Sequence, residues 1–149
     1  MAYTRLDKIS ATAHIESIVS KEDLENGQWL ELEDLQADGE ARLATPSGNT
    51  SKELVFHSSV PLTYEDQTNE LDFVLKAGKV GRAYVPEDGQ IISISEDGVV
   101  GEITKNALVI PDPKGFAVTT EEVTGLHGKI IAIENDLNAG RLAVIRIVK

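Results

Sequence analysis

Lys79-Val-Gly-Arg-Ala-Tyr-Val85, Gln90-Ile-Ile-Ser-Ile-Ser95, Val99-Val-Gly-Glu-Ile103 and Ala107-Leu-Val-Ile110 follow one another within residues 77–110, with Asp88-Gly89 and Asp97-Gly98 between them. Short β-branched runs separated by glycine are strand signals, and Asp-Gly pairs tolerate the positive φ of tight hairpin turns. The stretch therefore predicts antiparallel β-structure. The same grammar extends outward. Gln28 to Leu32 alternates, with Leu30 and Leu32 on one face and Trp29 on the other. Asp38-Gly39 then predicts a hairpin into Ala41-Arg-Leu-Ala44, and Glu53-Leu-Val-Phe-His-Ser58 reads as another strand. Two further strands close the chain, over residues 129–134 and 141–148. The last is apolar on both faces: Ala143, Ile145 and Ile147 point one way, and Leu142, Val144 and Val148 the other. That pattern fits a central strand of a barrel or sandwich, or a strand that offers one face to another chain.

Helix signals are few. Ser20-Lys-Glu-Asp23 resembles a capping box, and residues 119–124 admit a second short helical turn. The expected fold is all-β, an antiparallel barrel or sandwich of about eight to ten short strands. Residues 1–14 read as an extended N-terminal arm and residues 15–149 as a single β domain.

Composition narrows the functional classes. The 149 residues contain no cysteine, which excludes a disulfide framework, a thiolate metal site and a cysteine nucleophile. The N-terminus lacks an apolar run of signal-peptide length, and no stretch reaches the about 18 apolar residues of a membrane span, so a protein not bound to membrane is expected. The formal charge is −11. Residues 1–75 hold 15 acids and 5 bases, a net −10, whereas residues 76–149 hold 10 acids and 9 bases, a net −1. A field of this sign repels phosphate backbones, so no nucleic-acid partner is expected. The acids of residues 22–40 read either as a solubilising face or as a patch that meets a basic partner.

Catalytic chemistry has no motif behind it. His14, His57 and His127 have no second ligand at metal spacing, and they read as ordinary strand, surface or turn residues. No Gly-x-Ser-x-Gly elbow is present. Gly78-Lys-Val-Gly81 lies between strands rather than before a helix, which does not aim backbone amides at phosphate. The acid clusters around Asp34 and Asp136 do not match a calcium loop. Val85-Pro-Glu-Asp-Gly-Gln-Ile-Ile-Ser-Ile has the strand spacing of biotinyl or lipoyl carrier domains, but no lysine stands at the turn tips. No metal, no cofactor and no enzymatic activity are expected.

A different likeness covers the first two-thirds of the chain. Leu6-Asp7, His14-Ile-Glu-Ser17, Glu22-Asp-Leu-Glu-Asn-Gly-Gln-Trp-Leu30, Phe73-Val-Leu-Lys-Ala-Gly-Lys-Val-Gly-Arg-Ala-Tyr84 and residues 89–95 together resemble small structural proteins of tailed bacteriophages, the head decoration or capsid-stabilising proteins. The resemblance implies a non-enzymatic virion protein, made in the bacterial host cytoplasm, that binds the capsid exterior. Its implied partners are the major capsid protein and further copies of itself. Partner contacts are expected from Tyr3, Arg5, Leu6 and Ile9 on the arm, and from Trp29, Glu31 and Glu33. Trp29 reads either as an interface anchor or as core. The competing expectation is a β-sandwich module that binds a ligand or carbohydrate.

Overall fold

The computed structural model describes residues 4–8, 15–35, 41–50, 52–58, 74–121, 123, 125–136 and 140–148, with the backbone alone for residues 5–8, 34, 35 and 136. The chain is all-β. Fourteen strands are described: β1 (Thr4–Lys8), β2 (Ile15–Val19), β3 (Leu24–Glu25), β4 (Trp29–Leu35), β5 (Arg42–Pro46), β6 (Leu54–His57), β7 (Val74–Leu75), β8 (Gly81–Tyr84), β9 (Ile91–Ser95), β10 (Val99–Val100), β11 (Leu108–Asp112), β12 (Gly115–Thr119), β13 (His127–Asp136) and β14 (Gly140–Val148). The count exceeds the expected eight to ten; three of the strands, β3, β7 and β10, are only two residues long, and β1 falls in the expected arm.

The strands form two principal layers. One is a seven-stranded sheet in the order β1-β9-β14-β13-β11-β12-β10; the other is a small closed barrel, β2-β5-β4-β6-β8. A two-stranded piece, β3-β7, brings Leu24 and Leu75 into the barrel core with Ile18, Leu30, Leu32, Ala44, Val55 and Ala83. The second and larger core lies between barrel and sheet. Trp29, Leu54 and Phe56 come from the barrel strands, and Ile92, Ile94, Val109, Phe116, Ile130, Ala143, Ile145 and Ile147 from the sheet.

Alternation along a strand explains how one barrel wall serves both cores. In β6, Val55 enters the barrel core while Leu54 and Phe56 enter the larger one, so the strand is buried along its whole length. In β4, Leu30 and Leu32 fill the barrel and Trp29 points away from it, as the alternation predicts.

Glycines let the layers approach closely. A Cβ on Gly115 would collide with the Gly98 carbonyl oxygen and lie 3.2 Å from that of Gly27, and Gly115 also has φ +145°. A Cβ on Gly48 would stand 2.6 Å from the Pro111 carbonyl oxygen. Gln28 Nε2 donates to the Pro113 carbonyl at 3.1 Å, adding a polar tie at the same junction.

Four expectations change. Asp88-Gly89 and Asp97-Gly98 do not close hairpins. The first lies between β8 in the barrel and β9 in the sheet, where Gly89 (φ +89°) reverses the chain. The buried Gln90 side chain holds that crossover, accepting from Glu87 N–H at 3.0 Å, and Ile147 N–H donates to the Gln90 carbonyl at 2.8 Å. The second is a 3-10 turn, Glu96–Gly98, leading to β10, which pairs in parallel with β12.

The helical turn expected after Ser20 is absent, because Ser20 Oγ accepts from Glu22 N–H two residues on, at 3.2 Å, and closes a bend. Thr119 Oγ1 likewise accepts from Glu121 N–H at 3.2 Å, while residues 122 and 124 of the second expected turn lie outside the described residues. Such local bonds compete with helix initiation. His127 begins β13 rather than sitting in a turn before it.

The expected arm is extended but not separate over Thr4–Lys8. These residues pair antiparallel with β9, Thr4 opposite Ile94 and Leu6 opposite Ile92. The rest of residues 1–14 lies outside the described residues. The β4–β5 pairing agrees with the predicted hairpin, whose Asp38-Gly39 turn also lies outside them. β14 is central as read, between β9 and β13, and Leu142 and Val144 on its second face are buried too.

Candidate interaction surface

The residues expected to meet a partner are not gathered into one patch. Tyr3 and Ile9 lie outside the described residues. Arg5 and Leu6 stand on the edge strand β1, in register with Ser93 and Ile92.

Trp29 is the clear correction. It is 0% exposed, so its side chain is not available at the surface of the folded chain. It packs edge-on against Phe56 and Phe116, with ring centroids 5.3 and 5.7 Å away. The reason is its place at the start of β4, on the face that meets the sheet. Its Nε1 finds no acceptor among the described residues.

Glu31 and Glu33 continue the face of β4 beyond the part covered by the sheet. Glu31 is half-buried and Glu33 exposed. Glu33 Oε2 accepts from Thr45 Oγ1 at 2.8 Å. Arg42 donates Nε to the Glu33 carbonyl at 3.1 Å and makes a two-pronged pair with Glu53 at 3.1 and 3.3 Å. The Glu53 carboxylate and the Glu33 backbone carbonyl thus share a single guanidinium. Farther round the barrel, Asp23 accepts from Ala77 N–H at 2.9 Å and lies 3.5 Å from Lys76 Nζ. The Ala77 hydrogen bond, aided by the Lys76 charge, holds the Asp23 carboxyl below its ordinary range.

His57 is a strand residue, as expected, but wholly buried. Its Nδ1–H donates to the Glu25 carbonyl at 2.8 Å. Burial lowers its pKa, because the charged imidazolium would lose its hydration, while the Glu25 carbonyl opposes that shift. The site stabilises a neutral imidazole that ties β6 to β3.

A feature not read from the sequence lies on the outer face of the large sheet. Ile91, Arg146, Lys129, Leu108 and Thr119 stand directly opposite one another across β9, β14, β13, β11 and β12. Two cations are therefore adjacent on neighbouring strands. The pattern of each strand gives its faces, but only the register between strands gives this row.

Among the described residues, no group of three His, Asp or Glu side chains is placed to hold a metal ion, and no helix is long and apolar enough to cross a membrane. Compared with known proteins, the chain matches no family model and no curated protein sequence.

Proposed function

We infer that this chain is a non-enzymatic virion structural protein, a decoration protein that binds the exterior of a phage capsid shell and stabilises it through the major capsid protein and through further copies of itself. The observation that carries the reading is the placement of the N-terminal strand. Among the described residues β1 pairs with β9 alone, so its outer edge offers a row of backbone donors and acceptors to a strand of a partner. The residues expected to make arm contacts, Arg5 and Leu6, lie on that strand. The two-core body behind it is a scaffold well suited to hold an edge in place. Many weak contacts of this kind become effective on a shell, because one attached site raises the local concentration at the next.

The carbohydrate-binding alternative draws less support. Trp29, Phe56 and Phe116 are buried against one another, so none is placed to stack on a sugar.

Co-sedimentation of the purified protein with mature capsid shells tests the reading. Saturable binding at a fixed ratio to the shell subunit is expected, and it should be lost when residues 1–8 are removed from a chain that still folds. A protein that stays in the supernatant at every shell concentration would refute it.

A further inference from the structure

Arg146 and Lys129 occupy directly opposed positions on β14 and β13, and both are exposed. Opposed positions of an antiparallel pair place Cβ atoms about 4.5–5.5 Å apart, where like charges repel and destabilise the sheet. Neither side chain has an ion-pair partner among the described residues. Lys8 of β1 is in register with Ile91 and adds a third basic position to the row. Apolar positions border the cations. Ile91 and Leu108 stand on either side of them, both half-buried. Two residues along the strands, on the same face, Val148 stands opposite His127, and Ile110, Ala117 and Val100 share a register. Val100 is 51% exposed and the other four are half-buried. Neither row contains an Asp or a Glu. The next acid along β11 is Asp112, whose Oδ2 is engaged by Lys114 N–H at 3.0 Å in the turn to β12.

We propose that this face of the large sheet docks an acidic segment of another protein, one in which carboxylates alternate with aliphatic side chains. Two adjacent cations without partners call for carboxylates on the occupant. The apolar positions beside them call for aliphatic groups next to those carboxylates, and cations with an apolar margin are the composition of a protein contact surface rather than of a solvated face. Nucleic acid and anionic lipid fit less well. Each presents an extended field of negative charge, which a chain of net charge −11 meets with repulsion over its whole surface. A short segment meets the cationic rows alone. The stability cost points the same way. The free chain carries the repulsion between Arg146 and Lys129, and carboxylates set over the pair relieve it. This surface stands apart from the β1 edge of the proposed function, and binding there needs no shell.

Titration of the full chain with a short fluorescent peptide that alternates Glu with Val tests it, with backbone amide NMR shifts locating the contact. Saturable binding is expected at about 50 mM salt, weakening about tenfold or more at about 500 mM salt as screening shortens the reach of the charges. The shifts should gather on Ile91, Leu108, Lys129 and Arg146. A peptide that alternates Glu with Ser should bind about tenfold more weakly, because it leaves the apolar margin uncovered. Lys129→Gln/Arg146→Gln should weaken binding of the Glu–Val peptide about tenfold or more and, freed of the repulsion, unfold at a higher urea concentration than the wild type. Lys129→Glu, which sets a carboxylate opposite Arg146, substitutes for the double variant if that one misfolds. Single-stranded DNA and phosphatidylserine vesicles serve as the competing probes. Failure of the Glu–Val peptide to bind, shifts gathered elsewhere, equal affinity for the Glu–Ser peptide, or tighter binding of DNA or vesicles at the same residues would each overturn the proposal. So would a Gln pair that binds like the wild type, or one that loses stability together with binding, which would assign the cations to the fold.

Discussion

At the scale of single residues, the strand pattern told which way Trp29 points but not what it meets. Alternation placed it opposite Leu30 and Leu32, and that is correct. Whether the opposite face is covered depends on a sheet assembled from residues far along the chain, Phe116 among them. As the sole tryptophan, Trp29 reports its own surroundings. Its fluorescence should resist quenching by acrylamide in the folded protein and become quenchable in one step with unfolding; ready quenching in the native state would contradict its burial. Trp29→Ala should cost about 3–5 kcal/mol in urea unfolding, as expected for emptying so large a site. His57 carries a second residue-scale expectation. Its pKa lies below the ordinary 6.5 in the folded chain, so the stability it contributes is present above that value and is lost as pH falls through the folded pKa. The urea midpoint should therefore drop on acidification from neutral pH, and less so in His57→Gln; parallel pH profiles for the two proteins would rule this out.

At the scale of elements, the strands were legible and their neighbours were not. Residues 81–84, 91–95, 99–100 and 108–112 are strands as the glycine-punctuated stretch predicts, yet no two of them are hydrogen-bonded to each other. An Asp-Gly pair specifies a reversal of the chain, whereas pairing depends on which faces must be buried, and that is not local information. The two closing strands read over residues 129–134 and 141–148 do pair with each other, antiparallel, as β13 and β14. The supposed capping box at Ser20 failed for a local reason, since a hydroxyl that accepts two residues ahead closes a bend without a helix. The candidate surface was legible only in part: Glu31 and Glu33 lie outside the cores, but the cationic row depends on register. Glycines at the layer junction give an element-scale test. Gly115→Ala should destabilise by about 2–4 kcal/mol, combining a forbidden φ with a collision against Gly98. Gly89→Ala, where φ is also positive but nothing lies within 4 Å, should cost only about 1–2 kcal/mol. Equal losses in thermal or urea unfolding would mean that the close packing at Gly115 contributes nothing.

At the scale of the whole molecule, the order β1-β9-β14 places the first and last strands on either side of one central strand. Both run antiparallel to β9, so they run parallel to each other. Thr4 lies beside Ile94, near one end of β9, while Arg146 lies beside Ile91, at the other. The start of β1 and the end of β14 therefore lie at opposite ends of the shared strand. Tension applied between them would drag β1 and β14 past β9 lengthwise, loading the backbone bonds of both ladders together instead of peeling them open one by one. Single-molecule stretching between the ends should accordingly show one high-force rupture, whereas pulling between a residue of the 104–107 turn and the C-terminus should open the molecule at lower force. Comparable rupture forces in the two directions would exclude this mechanical role. A clamp of that geometry makes the sheet strongest along the line from the start of β1 to the end of β14, the direction in which a neighbour holding both strands would pull it.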